Sequence, residues 1–146
     1  LKTTSASMKL KDFQYRAIHN IITNRKRLHD YGIIDNPYCL SCLESDLFIR
    51  DDQIHSMAEC KESKTSWKNF KKIVHDKYGI DINIDRTFCI LGELNVGKRF
   101  RIINEAAIEV RKRLHAPVEK RKSLNENIII SIFEVLENIK KFIENK

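Results

Sequence analysis

Residues 39–60 read CLSCLESDLFIRDDQIHSMAEC, a Cys39-x2-Cys42-x12-His55-x4-Cys60 pattern. Zinc favours four soft or borderline donors at the corners of a tetrahedron. A two-residue gap lets both thiolates of a tight turn face one centre, and His55 with Cys60 supplies a second pair from the start of a helix. The intervening twelve residues can fold back at small loop-closure cost. Four protein donors leave no position for a catalytic water, so the pattern points to a structural zinc bound by Cys39, Cys42, His55 and Cys60. The competing reading is three ordinary reduced cysteines with His55 on the surface. A redox pair is disfavoured because no strand precedes Cys39 and no βαβ pattern surrounds it. His29 is the replacement ligand should His55 fail. Cys89, inside the apolar run TFCIL, reads as a small core residue. His19, His75 and His115 lie on basic helices without paired carboxylates and read as structural or exposed.

Working outward from this segment, the 146 residues suit one domain of ordinary size, and four Gly with two Pro are too few for a turn-rich sandwich. Residues 8–30 read as one basic amphipathic helix, with Met8, Phe13, Ala17 and Ile21 near helical spacing and Gly32 as its stop. A second helix runs from His55 and Cys60 to about Tyr78, with Trp67, Phe70, Val74 and Tyr78 as its buried stripe and Gly79 at its end. The apolar run from Thr87 to Leu91 is too brief to classify. A third helix covers about 97–115, and Pro117 closes it. Ser123 and Glu126 form a capping-box signature for a fourth, whose stripe is Leu124, Ile128, Ile132, Val135, Ile139 and Phe142. The expected fold is therefore mainly α: about four helices stapled by a CCHC zinc site, the last two an antiparallel hairpin. Two parts are expected to pack as one unit, the basic helix and zinc region at 1–80 and the helical hairpin at 81–146.

Charge is distributed unevenly around a net of +7 and a pI near 9.3. Residues 1–30 carry seven Lys/Arg against two Asp/Glu, residues 31–60 one against six, and residues 61–80 six against two. Two basic flanks thus bracket an acidic metal loop, in which Asp51 and Asp52 read as charge-tuning or helix-capping residues. A basic excess points to a polyanionic partner, either nucleic acid (RNA or DNA) or an acidic membrane surface. Lys9, Lys11, Arg16, Arg25, Lys26 and Arg27 on one flank and Lys61, Lys64, Lys68, Lys71 and Lys72 on the other would meet phosphates. Solvated helix faces without a partner are the plain alternative. Tyr15 and Tyr38 read equally as base-stacking platforms or as core.

No run of eighteen apolar residues suits a membrane span, and LKTTSASMKL lacks the apolar centre of a signal peptide. Leu1 in place of Met fits a piece of a longer chain. Four unevenly spaced cysteines without a secretory signal suggest a reducing, intracellular compartment. Gly92-Glu-Leu-Asn-Val-Gly97-Lys98-Arg99 approaches a phosphate-binding loop, but Arg99 stands where Ser or Thr must hold magnesium. No HExxH, GxSxG or two-metal carboxylate set appears, so the chain is expected to be non-catalytic.

The stretch KDFQYRAIHNIITNRKRLHDYGIIDNPYCLSC, followed by QIHSMAECKESKTSWKNF, resembles the zinc-binding segment that follows the reverse transcriptase in non-LTR retrotransposons. Gln14, Arg16, His19, Thr23 and Leu28 stand in that family's first block, Cys39 and Cys42 in its second, and His55, Cys60 and Trp67 in its third. Ile90-Leu91-Gly92 and two apolar helices continue the likeness. A longer gap before His55 and Ser56-Met57 after it depart from the pattern. The resemblance implies an accessory module that helps hold template RNA, and target DNA as a second ligand. The upstream reverse transcriptase domain would be its partner, in the nucleus or a cytoplasmic ribonucleoprotein. The alternative expectation is a structural zinc scaffold for protein–protein contact.

Overall fold

The structure is a computed structural model that describes residues 8–93, 97–115, 117 and 119–144, and only the backbone of Lys9, Leu10, Lys98 and Arg99. Among these residues there is no strand; Tyr38 and Arg50 form a lone antiparallel bridge. Four long helices carry the fold: α1 (Met8–Ile18), α4 (Lys61–Tyr78), α6 (Lys98–Leu114) and α7 (Glu126–Glu144). Short helices α2 (Arg25–Asp30), α3 (Leu40–Leu43) and α5 (Arg86–Leu91) and a π-turn at His55–Glu59 fill the connections. The mainly helical architecture is as expected, and α6 and α7 pack on each other across the 115–125 connection as the expected C-terminal hairpin.

The 8–30 helix is broken in two, and two asparagines explain why. Asn20 adopts a left-handed conformation (φ 53°), and Ile21 N–H reaches back to the Arg16 carbonyl at 2.9 Å, which closes α1 as a Schellman motif. Asn24 then caps α2, its side chain accepting from Arg27 N–H at 3.0 Å. At α7 the expected Ser123–Glu126 capping box does not form. Ser123 bonds Glu62 of α4 instead, and Asn125 caps the helix by accepting from Ile128 N–H at 2.9 Å. The unclassified Thr87–Leu91 run lies in α5, capped by Asp85.

The main core joins α4, α5, α6 and α7 around Trp67, Phe70, Val74, Phe88, Ile103, Val110, Ile129 and Phe133. Each such side chain contributes about 1.5–3 kcal/mol by leaving water. On α7 the buried residues are Ile129, Ile132, Phe133 and Leu136; Val135, Ile139 and Phe142 of the expected stripe are exposed. A smaller cluster of Phe13, Ala17, Ile22, Met57 and Ile108 ties α1 and the π-turn to α6.

Gln14 and Arg111 fasten these clusters together. The fully buried Arg111 donates to the Cys89 and Phe88 carbonyls at 2.7 and 2.8 Å and to Gln14 Oε1 at 2.9 Å. Gln14 in turn donates to the Ile90 carbonyl at 3.0 Å. A cation among the last carbonyls of α5 satisfies acceptors that a helix terminus leaves open. Gly92 follows with φ 85° and ψ −167°, a region essentially confined to glycine. A Cβ there would lie 2.6 Å from Asn104 Oδ1 and 3.1 Å from Arg111 Nη2. Asn104 instead grips the Glu93 backbone, accepting from its N–H at 2.7 Å and donating to its carbonyl at 3.0 Å. The rest of the phosphate-loop lookalike, Leu94 to Val96 and the Lys98 and Arg99 side chains, lies outside the described residues.

Candidate metal centre

The metal segment is built from backbone first. Cys39 N–H bonds the Ile49 carbonyl at 2.8 Å and Asp51 N–H bonds the Pro37 carbonyl at 2.9 Å, which folds residues 37–51 back on themselves. The one-turn α3 between them carries Cys42 to the side of Cys39. Asp52 caps the following turn by accepting from His55 N–H at 2.8 Å. In that π-turn Cys60 N–H bonds the His55 carbonyl at 2.8 Å, so both side chains face the same point. Cys60 is also the residue from which α4 departs. Trp67, nearly two turns into α4, donates its indole N–H to the Met57 carbonyl at 2.6 Å and locks the π-turn to the core.

The four side chains expected to act together do converge. Cys39 Sγ lies 3.8 Å from Cys60 Sγ, Cys42 Sγ lies 4.0 Å from Cys60 Sγ, and Cys42 Sγ lies 3.5 Å from His55 Nε2. All four donor atoms fall within 4.8 Å of one another, and all four residues are buried. No disulfide links them. This cluster could hold a metal ion.

The Cys39 thiol hydrogen-bonded to Cys60 draws Cys60 down to about 2, helped by His55 and Arg121 against the cost of burial. The same contact, with burial, holds Cys39 far above the usual thiol range, and burial raises Cys42. Without a cation the cluster thus supports one thiolate among three cysteines. Metal ligation requires all three deprotonated, and a divalent ion supplies the compensating charge.

Arg121 is the functional residue that the sequence analysis missed. It comes from the 115–125 connection, with no motif to mark it. Its Nη1 donates to Cys39 Sγ at 3.2 Å, its Nη2 contacts both Asp51 oxygens at 3.0 Å, and its Nε bonds the Leu114 carbonyl at 2.6 Å. The Ser41 hydroxyl donates to the Arg121 carbonyl at 2.7 Å. The Arg121 and Asp51 side chains are only 1% and 3% exposed. Asp51 is thus not a cap; it is half of a buried ion pair that sets the charge beside Cys39.

Arg25 needs a correction. It was expected at a phosphate-binding surface, but it is buried. Its guanidinium donates to the carbonyls of Tyr38 (2.7 Å), Pro117 (3.1 Å) and Asn36 (3.2 Å). Those bonds use the planar fork of donors internally and fasten the 115–125 connection to the metal segment.

The remaining basic candidates divide by partner. Arg16 pairs with Asp12 at 3.1 Å, Lys26 with Asp30 at 3.0 Å, and Arg27 donates to the Asn20 carbonyl. On α4, Lys61 donates to Ser45 at 2.7 Å, Lys72 pairs with Glu126 at 2.7 Å, and Lys77 pairs with Glu137 at 2.8 Å. Lys64, Lys68 and Lys71 are exposed and form no ion pair among the described residues. Lys11 is half-buried, and the Lys9 side chain lies outside the described residues. Tyr15 is exposed against the His19 ring, while Tyr38 meets the Phe48 ring edge-on. His75, expected to lack a carboxylate partner, lies 2.8 Å from Asp81. Cys89 is buried in the core, as expected. No helix among the described residues is long and apolar enough to cross a membrane. Compared with family models, curated proteins and solved structures, the chain gives no match.

Proposed function

We propose that Cys39, Cys42, His55 and Cys60 bind a single structural zinc ion, and that the chain is a non-catalytic accessory module that binds RNA, with DNA as a second target. The observation that carries the zinc assignment is donor spacing. Sulfurs about 2.3 Å from a tetrahedral zinc sit about 3.8 Å apart, and a sulfur and an imidazole nitrogen about 3.5 Å apart. Three of the six donor separations, 3.8, 4.0 and 3.5 Å, lie close to those values, and all six lie within 4.8 Å. Three thiols and an imidazole also select zinc over magnesium or calcium, which prefer oxygen. With all four donors from the chain, a tetrahedral ion offers no open position to a substrate.

Three features support the nucleic-acid role: the net charge of +7, the unpaired lysines of α4, and the resemblance to the zinc segment of non-LTR retrotransposon reverse transcriptases. On that resemblance the module assists an upstream reverse transcriptase domain in holding its template, in the nucleus or a cytoplasmic ribonucleoprotein. The test is fluorescence anisotropy of the zinc-loaded chain with a structured RNA at two salt concentrations. Binding that weakens steeply with salt is expected. No binding at either concentration would remove the nucleic-acid role.

A second reading, a zinc-stabilised scaffold for a protein partner, is favoured by one observation. Val135, Ile139 and Ile143 are exposed on the C-terminal half of α7, at 57%, 38% and 56%. Such a stripe fits a helix-to-helix contact. Light scattering that finds only monomer at high concentration would count against self-association through it.

A further inference from the structure

The lysines of α4 fall into two sets. Lys72 and Lys77 face α7 and are neutralised by Glu126 and Glu137. Lys64, Lys68 and Lys71 follow a 4, 3 spacing along one stripe of the helix, with Lys72 at its edge beside Lys68. Neighbouring like charges at i, i+3 and i, i+4 weaken a helix. Nothing in the fold offsets that cost, since none of the three is ion-paired among the described residues.

These three lysines form one rim of a groove of about 430 Å³ between α4 and the chain at 83–86. That volume lies within the range of clefts that take small ligands. Trp67, Ile84 and Cys89 lie along its apolar lining, and Asn83 and Arg86 belong to the opposite wall. Two carboxylates also line it. Glu59 is paired with Arg86 at 3.0 Å, while Asp85 caps α5 through Phe88 N–H at 2.8 Å and keeps its charge, so four cations face two carboxylates, a net of +2. The groove is therefore a cationic rim over an apolar lining.

We propose that this groove is the subsite where the module takes a segment of single-stranded RNA. The lysine row spans about 10 Å along the helix axis. Backbone phosphates would follow it, and one unstacked base would lie over Ile84, above the buried Trp67, with the Asn83 amide at hand for a base edge. A duplex keeps its bases stacked inside and gains only the phosphate contacts. The proposal rests on the nucleic-acid reading above and adds the strand type and the place.

The test uses the zinc-loaded chain with an unstructured twelve-nucleotide RNA and a duplex of equal length. Two charge-matched variants are compared, Lys68→Gln/Lys71→Gln in the groove and Lys72→Gln/Lys77→Gln on the α7 side. All four changes lie on the surface of α4, and circular dichroism verifies the fold of each. The groove variant is expected to bind single strand about tenfold more weakly, with a salt slope lower by about 1.4. The α7-side variant is expected to change affinity less than about twofold, because its lysines are already neutralised. Trp67 is the chain's one tryptophan, so its fluorescence should change on single-strand binding with the same affinity. Equal losses in the two variants, an unaffected groove variant, or a preference for duplex would overturn the groove while leaving RNA binding intact. A native chain that binds neither RNA would overturn both.

Discussion

Arg121 lies 3.0 Å from both oxygens of Asp51 and 3.2 Å from Cys39 Sγ, although 82 residues separate it from that cysteine. The Cys/His cluster is therefore not a local feature confined to residues 39–60. One guanidinium binds it to the connection between α6 and α7. Truncating Arg121 to Met would leave the Asp51 carboxylate buried without its partner, at a cost of about 3–5 kcal/mol. It would also lower metal retention by about 10–100-fold, the usual effect of losing a group that supports metal ligands. Urea unfolding and competition with a chelating dye would read the two effects. Arg121→Lys should recover only part of each, because an ammonium cannot contact carboxylate and sulfur from one planar fork.

Removal of the proposed zinc should loosen two places distant in sequence. Apo chain is expected to lose amide-exchange protection at residues 39–60 and also at 119–124, where Ser41 and Arg121 fasten the connection. Protection in the second half of α4 should persist, since Phe70, Ile73 and Val74 belong to the main core. Loss confined to 39–60 would show that Arg121 does not transmit the effect.

Gly92→Ala is expected to destabilise the chain by about 1–3 kcal/mol through backbone strain. The new methyl group would also displace Asn104 from the Glu93 backbone. Thermal unfolding of Gly92→Ala against Asn104→Ala would separate strain from the lost clamp. Equal stability of Gly92→Ala and the native chain would contradict the assigned geometry.

His115 gives a pH dependence. Burial, with the nearby Arg121 charge, pushes it from its ordinary 6.5 to about 4. Between those values the unfolded chain binds a proton that the folded chain refuses, so stability falls as pH drops from about 6.5 to about 4. The loss has an upper bound of about 3–4 kcal/mol. Acid also protonates the thiolates, so the informative quantity is the difference between native chain and His115→Gln. The variant should show a shallower acid limb; identical limbs would remove His115 as the cause.

The four donors were legible in the sequence because their spacing states the chemistry directly. Gly32 and Gly79 as helix ends and the Trp67–Phe70–Val74 stripe were equally plain. The break at Asn20 was not, because apolar residues continue in helical register across it and the decisive conformation is local. On α7, apolar residues such as Ile128, Ile129, Ile130 and Ile132 occupy more than one face, so periodicity alone could not say which face packs inward. Arg25 read as surface charge and Arg121 carried no signal, because nothing adjacent in sequence reveals their partners. Tertiary structure decides whether an arginine meets solvent or a buried carboxylate.

The most direct test of the central claim is cobalt substitution of the reduced chain, followed by visible absorption and metal counting. One cobalt per chain is expected, with thiolate charge-transfer bands, tetrahedral ligand-field intensity and displacement by one equivalent of zinc. Cys60→Ser and His55→Gln should weaken or alter these bands, and Cys89→Ser should leave them unchanged. A chain that binds no cobalt, or binds it with a weak octahedral spectrum indifferent to Cys60, would contradict the account.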